Sequence, residues 1–263
     1  MIDYKEYKLK PIPFQKVTLH NICGSKPVMH WAPRREEIQR FIEIAKAVHN
    51  NDRSIPTILE VGCGTGFLAY LLALTGEVYV TATDPNEEVI GRRVYSHPNM
   101  RFEKGDAESV AKNYKEKGID VVVNSYMPQL ENLTPHIRNI GAKAIIYVKD
   151  ISGETGMPSH FYNPRKTPEK REDFVSYEPG EDYRKAFEWG CPNKLEIQYL
   201  SKVLRGVNAR PKKSNMARVD IQVRKDIPIP LIPKIPIPDL EKYAWEKELE
   251  LLGLPFDEMR RVV

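Results

Sequence analysis

The region between residues 57 and 148 alternates short apolar runs with stretches of helical periodicity. Helical patterns begin near Phe67, Asn86, Ala107 and Gln129, and another spans Pro33 to Asn50. The runs between them have the length and composition of β-strands: Thr57 to Val61, Val78 to Thr83, Met100 to Glu103, Ile119 to Asn124 and Lys143 to Val148. Near-continuous apolar strands separated by helices are typical of a parallel sheet covered on both faces. The pattern predicts an α/β fold with an open, doubly wound sheet and helices on both faces.

This alternation stops after the fifth predicted strand. Residues Asp150 to Gly180 contain four prolines and have no clear period, which is typical of a long functional or mobile loop. The following residues predict a short helix, Glu181 to Trp189, and two strands, Leu195 to Leu204 and Met216 to Lys225. The last two would form an antiparallel hairpin at one edge, so we expect a seven-stranded, mostly parallel sheet.

Alternating prolines mark the end of this region. The stretch "IPIPLIPKIPIP", Ile227 to Pro238, lacks the backbone donors of a central strand or a helix and predicts an extended strap. A helix is expected after it, from Asp239 to Leu252. We therefore expect three parts: an N-terminal extension with a lead-in helix (1–50), a core with the 150–180 loop (51–226), and the strap with its helix (227–263).

Composition narrows the classes of protein. With 41% hydrophobic and 29% charged residues, and no apolar run near the ~18 residues of a membrane span, we expect a cytoplasmic protein with no membrane partner. The cysteines Cys23, Cys63 and Cys191 form no C-x-x-C pair, and His20 with Cys23 is too small a set for zinc, so no metal is predicted. A net charge of +4 permits a nucleic-acid partner without requiring one. The oligomeric state is left open.

The stretch "TILEVGCGTGFLAYLLAL" joins the first predicted strand to its helix. Glu60 lies near the end of the strand, and Gly62, Gly64 and Gly66 occupy the turn. Glycine allows a sharp turn and a close approach of a ligand to the amides at the helix N-terminus. Any tight strand-to-helix turn can use glycine too, so the pattern alone does not decide between a ligand site and a plain turn.

Polar residues also follow the next three strands. Asp84 comes after the second strand, where a carboxylate can accept both hydroxyls of a ribose, and Asp106 comes after the third, where it can accept a hydrogen bond from an adenine amino group. Asn124 ends the fourth. Singly, each of these residues could start a turn, cap a helix or close a strand. Together, at the carboxyl edge of one sheet, they predict a nucleoside site.

Two other nucleotide-binding classes fit less well. A dinucleotide dehydrogenase would have G-x-G-x-x-G, but Phe67 stands in place of the third glycine. A P-loop nucleoside triphosphatase would need Gly-Lys-Ser or Gly-Lys-Thr after the glycines, and neither follows.

The segment E-V-G-C-G-T-G, Glu60 to Gly66, resembles the first motif of the class I S-adenosylmethionine-dependent methyltransferases. The resemblance covers about Pro56 to Val148 by motif and extends to about Lys225 by topology. It implies S-adenosyl-L-methionine as cofactor, with the glycine turn around its methionine and ribose. It further implies ribose contacts from Asp84 and adenine contacts from Asp106. The full set of predicted cofactor-binding residues is Glu60, Gly62, Cys63, Gly64, Gly66, Asp84, Pro85, Asp106, Ala107 and Asn124.

The fourth-strand motif departs from one branch of this family. Family members that methylate exocyclic or amide nitrogens usually carry Asn or Asp followed by Pro-Pro and an aromatic residue, whereas this chain has N-S-Y-M-P from Asn124 to Pro128. Asn124, as a hydrogen-bond acceptor, and Tyr126, as a stacking surface, are the predicted catalytic residues. A general base is needed only for some acceptors, and its candidates are His30, Asp150 and His160.

The sequence therefore predicts methyl transfer from S-adenosylmethionine to a small molecule or a peptide. RNA or DNA is the alternative acceptor, suggested by basic residues in the long loop and at the hairpin tip: Arg165, Lys166, Lys170, Arg171, Arg205, Arg210, Lys212 and Lys213. A second alternative is a protein that binds the cofactor as a partner of an enzyme and transfers nothing itself.

Overall fold

The computed structural model describes residues 35–49, 54–64, 66–86, 97–150, 155–192 and 216–229. Its strands are β1 Thr57–Val61, β2 Tyr79–Asp84, β3 Met100–Lys104, β4 Val121–Ser125, β5 Ala144–Asp150, β6 Tyr183–Pro192 and β7 Met216–Arg224. Its helices are α1 Arg35–Val48, α2 Phe67–Leu74, α3 Ala107–Tyr114, α4 Thr134–Asn139 and α5 Arg171–Phe174, with a 3-10 helix at Ser159–Phe161.

All seven strands form one sheet in the order β3-β2-β1-β4-β5-β7-β6. Strands β1 to β5 run parallel, whereas β7 is antiparallel to both β5 and β6. The order reverses between β1 and β4, and ligands of open α/β sheets bind in the crevice at such a reversal. The predicted mixed, doubly wound sheet is confirmed.

The sheet is covered on both faces. Helices α1 and α2 bury one face, where Phe41, Ile42 and Leu72 are fully inaccessible to solvent. Helices α3 and α4 bury the other face with Tyr147 and Tyr183. The apolar residues of the parallel strands alternate between these two layers, which is why the strands read as continuous apolar runs.

The edge hairpin differs from its prediction. Residues 183–192, which overlap the predicted helix Glu181 to Trp189, form strand β6, which pairs with β7. A β-bulge between Lys185 and Phe187 shifts the register, so that Tyr183 packs into one layer and Phe187 into the other. The bulge breaks the period-2 pattern that identifies a strand, and pairing with β7 prevails over the helical pattern. The predicted strand Leu195 to Leu204 and the hairpin tip lie outside the described residues.

The remaining boundaries agree with the sequence to within a few residues, with one exception. The helix expected near Gln129 begins at Thr134, because residues 126–133 form turns in which Tyr126 and Leu130 have φ of 58° and 63°. The helix expected near Asn86 and most of the proline strap with its helix lie outside the described residues. The division of the chain at residues 50 and 226 stays a prediction, although α1 packs directly on the sheet.

No helix among the described residues is long and apolar enough to cross a membrane.

Candidate functional site

The carboxyl ends of β1, β2, β3 and β4 meet at one edge of the sheet. The register pairs Val61 with Thr83 and Asp84 with Lys104, so the first three strands end side by side. On the other side, Glu60 pairs with Val123, one residue before Asn124. The predicted site residues on these strand ends therefore share one edge, as expected for a parallel sheet.

The turn after β1 depends on glycine for backbone geometry. Gly62, Gly64 and Gly66 have φ of 73°, 53° and 75°, in the left-handed region that disfavours residues with a side chain. A Cβ on Gly66 would lie 2.3 Å from the Phe102 ring, whereas a Cβ on Gly64 would meet nothing within 4 Å. Gly66 is thus required for packing, while Gly64 borders open space.

Thr83 on β2 anchors this glycine loop. Its carbonyl oxygen accepts hydrogen bonds from the backbone N–H groups of Gly62 (2.9 Å) and Cys63 (2.8 Å). Its hydroxyl donates to the carbonyl of Glu60 at 2.9 Å. Thr83 could not be predicted as a site residue, because a threonine inside a β-patterned run carries no signal of such a role.

Asp84 holds two loops at the same edge. One of its carboxylate oxygens accepts the Gly64 N–H at 2.9 Å, and the other accepts the Asn86 N–H at 2.9 Å. The Asp84 side chain is buried but for 9% of its surface, and each oxygen can accept a further hydrogen bond. It therefore both fixes the glycine loop and keeps capacity for a ligand's hydroxyl groups.

Glu60 is a buried carboxyl group beneath the glycine loop. It is 2% exposed, and its Oε2 has no hydrogen-bond partner among the described residues. Burial raises the pKa of Glu60 to about 8. The nearby charge of Asp84 also raises this pKa, whereas a hydrogen bond from the Ala69 backbone lowers it. Because Ala69 lies in the first turn of α2 and Gly66 provides no side-chain cap, Glu60 serves as the acceptor for that turn.

Cys63, also in the loop, is a buried thiol that contacts the Gly64 carbonyl at 3.6 Å. Burial, with the charges of Glu60 and Asp84, raises the pKa of Cys63 well above its ordinary value. The thiol therefore stays protonated and is a packing group rather than a nucleophile.

Asn124 connects β4 to the same loop. Its Nδ2 donates to the Val61 carbonyl at 2.9 Å, while its Oδ1 has no hydrogen-bond partner among the described residues although the side chain is 1% exposed. Buried acceptors are normally paired, so an unpaired amide oxygen at a strand end is a candidate ligand contact.

Asp106 and Ala107 follow β3. Asp106 is the N-cap of α3 and accepts the Ser109 N–H at 2.7 Å, and this hydrogen bond lowers the pKa of Asp106. Ala107 is buried in the first turn of α3. The Gly105 N–H donates to the Asp84 carbonyl at 3.2 Å, which brings the β3 turn next to the β2 end. The capping role of Asp106 is thus observed, and its predicted contact with adenine stays a prediction.

Tyr126 begins a strained turn directly after β4. Its φ of 58° is unusual for a residue with a side chain, and its N–H donates to the Val148 carbonyl at 2.8 Å. The following residues are tied to the segment 155–177 through Ser176, whose hydroxyl contacts the Glu131 carbonyl (3.1 Å) and accepts the Met157 N–H (2.8 Å). Strained backbone held by its surroundings is typical of functional turns.

Of the three candidate bases, His160 has its side chain within the described parts of the structure. His160 is exposed in the 3-10 helix and contacts the Phe161 ring at 4.4 Å. Asp150 ends β5, and its side chain, like the whole of His30, lies outside the described parts of the structure. The structure therefore brings Glu60, Asp84 and Asn124 to the glycine loop, and the identity of a base stays a prediction.

The arrangement suits a nucleoside carrying positive charge. Open space borders Gly64, and carboxyl groups lie on β1 and β2 of the same edge. Two buried acceptors at this edge have no partner within the described part of the chain. Glu60 Oε2 and Asn124 Oδ1 fit a ligand that has hydrogen-bond donors and a cationic centre, as S-adenosylmethionine has.

Comparison with known proteins gives a family match. Residues 58–145 match the family model described as "Methyltransferase domain". No curated protein matches the chain.

Solved structures show likenesses at low identity. A protein from Listeria monocytogenes, provisionally described as an S-adenosylmethionine-dependent methyltransferase, is 15% identical, with 71% of this chain and 98% of that chain covered and a TM-score of 0.41. A SAM-dependent methyltransferase from Agrobacterium tumefaciens is 13% identical, with 72% and 62% covered and a TM-score of 0.42. The tRNA (uracil-54, C5)-methyltransferase of Pyrococcus abyssi is 16% identical, with 71% and 36% covered and a TM-score of 0.42. The chain thus spans less than two thirds of the last two proteins.

The matched region contains β1 to β4, the glycine loop and the start of β5, which are the parts that carry the site described above. The family match and the observed sheet agree with the resemblance of the Glu60 to Gly66 motif. Residues 58–145 are therefore similar to a methyltransferase domain, and this similarity agrees with S-adenosylmethionine as the cofactor of this region.

Proposed function

We propose that the chain transfers a methyl group from S-adenosylmethionine to a small molecule or a peptide, at the carboxyl edge of β1, β2 and β4. The main support for the donor site is the glycine loop. Its amides donate hydrogen bonds to Thr83 and Asp84, and it borders open space at Gly64. In this proposal the loop residues Gly62, Cys63, Gly64 and Gly66 face the methionine and ribose, and Asp84 with Pro85 binds the ribose hydroxyls. Asp106 and Ala107 border the adenine.

Methyl transfer from this cofactor requires little covalent catalysis by the protein. Bound S-adenosylmethionine supplies a methyl group that is already electrophilic, because it is attached to a sulfonium. What remains for this chain is to orient the acceptor, exclude water and, for some acceptors, remove a proton. In the proposal, Asn124 Oδ1 accepts a hydrogen bond from the acceptor or the cofactor, and Tyr126 provides an aromatic surface for a planar group.

The preference for a small acceptor rests on how the basic residues of the long loop are paired. Lys170 lies 3.3 Å from Glu181, and Arg171 lies 3.2 Å from Glu178. Two of the four cations that suggested nucleic acid in this loop thus have acidic partners, which weakens the local positive field that phosphates would need. Arg165 and Lys166 are exposed on the same loop, and the basic hairpin tip lies outside the described residues.

A labelled-methyl experiment tests the acceptor class. The full chain is incubated with S-adenosylmethionine labelled on the methyl group and with cell extract, with and without ribonuclease or deoxyribonuclease. We expect label in the low-mass or peptide fraction and no loss of label after nuclease. A parallel incubation with Gly64→Ala provides the matched control, because that substitution obstructs the donor site.

Other results would support the alternatives. Label that disappears after nuclease would replace the proposed acceptor with nucleic acid. Binding of S-adenosylmethionine without label in any fraction would favour a non-catalytic partner protein. A fourth-strand motif that departs from the nitrogen-methylating pattern is the feature compatible with that last function.

A further inference from the structure

Glu60 is the most unusual group at the site, because it is buried with half of its carboxyl group unpaired. It projects from the face of β1 that packs under α2, where the Ala69 amide of the first helical turn contacts it. Its Oε2 is inaccessible to solvent and has no partner among the described residues. A buried carboxyl group normally has all its polar atoms satisfied or becomes neutral.

The groups that face Glu60 do not include a cation in the described structure. The charge of Asp84 on β2 disfavours a negative charge on Glu60, whereas the nearby Cys63 thiol in the glycine loop stays protonated and carries no charge. The strand neighbours in register with it are the apolar Ala82 and Val123. Among the described residues, the hydrogen bond from Ala69 at the positive end of α2 favours the ionised form.

We infer that Glu60 loses its proton when the cationic cofactor binds, and that this proton linkage makes the enzyme prefer S-adenosylmethionine over its demethylated product as the pH rises. The inference rests on the proposed donor site, because it requires the cofactor to lie at the glycine loop. The proton leaves the Glu60 carboxyl group and is taken up by the buffer, so no other reactant is needed.

The physical reason is the difference in charge between the two ligands. S-adenosylmethionine carries a sulfonium and has a net charge of about +1, whereas S-adenosylhomocysteine has a neutral thioether. A cation beside a buried carboxyl group stabilises its ionised form, and the low dielectric of the site strengthens that effect. In the free protein Glu60 is mostly protonated at neutral pH, because its pKa is about 8. Binding of the cation therefore displaces a proton, and binding of the neutral thioether displaces less of one.

Calorimetry measures this proton directly. The full chain is titrated with S-adenosylmethionine at pH 7 in two buffers of different ionisation enthalpy, and the difference in observed heat gives the number of protons released. We expect close to one proton for S-adenosylmethionine and clearly fewer for S-adenosylhomocysteine. We also expect the Kd for S-adenosylmethionine to fall by up to about tenfold between pH 6 and pH 7, with a smaller change for the product.

Two substitutions assign the proton to its source. Glu60→Gln keeps the size and the acceptor for Ala69 but cannot ionise, so the difference between the two buffers should vanish. Glu77→Gln, at the opposite edge of the sheet, is the matched control and should release protons like the wild type.

The results separate this inference from the proposed function. Wild-type protein that binds S-adenosylmethionine without proton release, or that releases equal numbers of protons with both ligands, overturns the inference and leaves the donor site intact. Wild-type protein that does not bind S-adenosylmethionine at any pH overturns both. If Glu60→Gln does not fold, the numbers of protons that the wild-type protein releases with each of the two ligands still decide the test.

Discussion

At the scale of single residues, different physical constraints require glycine at the positions after β1. Gly66 has no room for a Cβ because of the Phe102 ring, so its role is in packing. Gly64 has room, and its left-handed φ of 53° is a backbone requirement alone. Because Gly64 borders open space at the edge of the site, a Cβ added there would clash with no protein atom. It would, however, enter the space proposed for the cofactor.

The two effects can be separated at Gly64. We expect Gly64→Ala to lose about 1–2 kcal/mol of unfolding free energy through the left-handed conformation, and also to weaken S-adenosylmethionine binding tenfold or more. Gly76→Ala is the matched control, because Gly76 has φ of 72°, also with nothing within 4 Å, but lies outside the site. Urea unfolding and calorimetry of both variants make the comparison. Equal loss of affinity in the two variants would contradict the placement of the cofactor.

Asp84 allows a direct test of the ribose contact. Asp84→Ala should weaken S-adenosylmethionine binding by about 1–3 kcal/mol, because it removes an acceptor for buried hydroxyls and releases the Gly64 and Asn86 amides. Asp226→Ala, which removes an exposed carboxylate paired with Arg224 at the end of β7, is the control and should leave affinity unchanged. Unaltered affinity in Asp84→Ala would remove this residue from the site.

Glu60 also gives the folded protein a characteristic pH dependence. Its pKa of about 8 in the folded state exceeds the ordinary value of 4.5, so the folded state binds more protons than the unfolded state between these values. The free energy of unfolding should therefore decrease as the pH rises from 4.5 to about 8, by at most ~1.4 kcal/mol per pH unit from this group. Denaturant unfolding of wild type and Glu60→Gln across this range isolates the contribution. Parallel curves for the two proteins would show that Glu60 ionises normally.

At the scale of secondary-structure elements, the segment between β5 and β6 is attached to the turn after β4 by backbone hydrogen bonds of Gly156 with Met127 and Leu130 and by the Ser176 hydroxyl group. Ser176 accepts the Met157 N–H and contacts Met127, Glu131 and Asn132 from the other side. Gly156 fits beside it because a Cβ there would lie 2.7 Å from the Ser176 side chain. The proposed acceptor side of the site, which includes Tyr126, is thus held by a long loop rather than by a helix.

Loss of the Ser176 hydroxyl should weaken this attachment. We expect Ser176→Ala to cost about 1–3 kcal/mol, because it leaves the Met157 amide without its buried acceptor. Ser159→Ala removes an exposed hydroxyl from the same segment and should change stability by less than about 0.5 kcal/mol. Urea unfolding of the two variants is the measurement, and equal stabilities would contradict the attachment.

The elements also show where sequence patterns were sufficient. The central parallel strands β1, β4 and β5 could be predicted because both of their faces are buried and their residues are therefore mostly apolar. Strand β6 could not, because the bulge between Lys185 and Phe187 interrupts its alternation and its partner strand begins about 24 residues later, at Met216. The late start of α4 depends on the left-handed turns at Tyr126 and Leu130, which no glycine marks.

At the scale of the whole molecule, the position of the site follows from the sheet topology. Glycines and acids at strand ends could be placed together from the sequence, because parallel strands bring their carboxyl ends to one edge. Their individual tasks could not, since these depend on contacts across the fold. Thr83 anchors a loop 20 residues earlier, and Asp84 accepts hydrogen bonds from the Gly64 and Asn86 amides. Glu60 became notable only once its burial under α2 was known.

The central claim is that S-adenosylmethionine binds at the edge formed by these strand ends. Hydrogen–deuterium exchange of the full chain, with and without S-adenosylmethionine, tests it without knowledge of the acceptor. The amides of residues 60–66, 84–86 and 105–109 should exchange more slowly with the ligand. Amides around Asp120 and Thr57, at the opposite edge, should be unchanged. Protection confined to the opposite edge, or no protection with saturating ligand, would contradict the account.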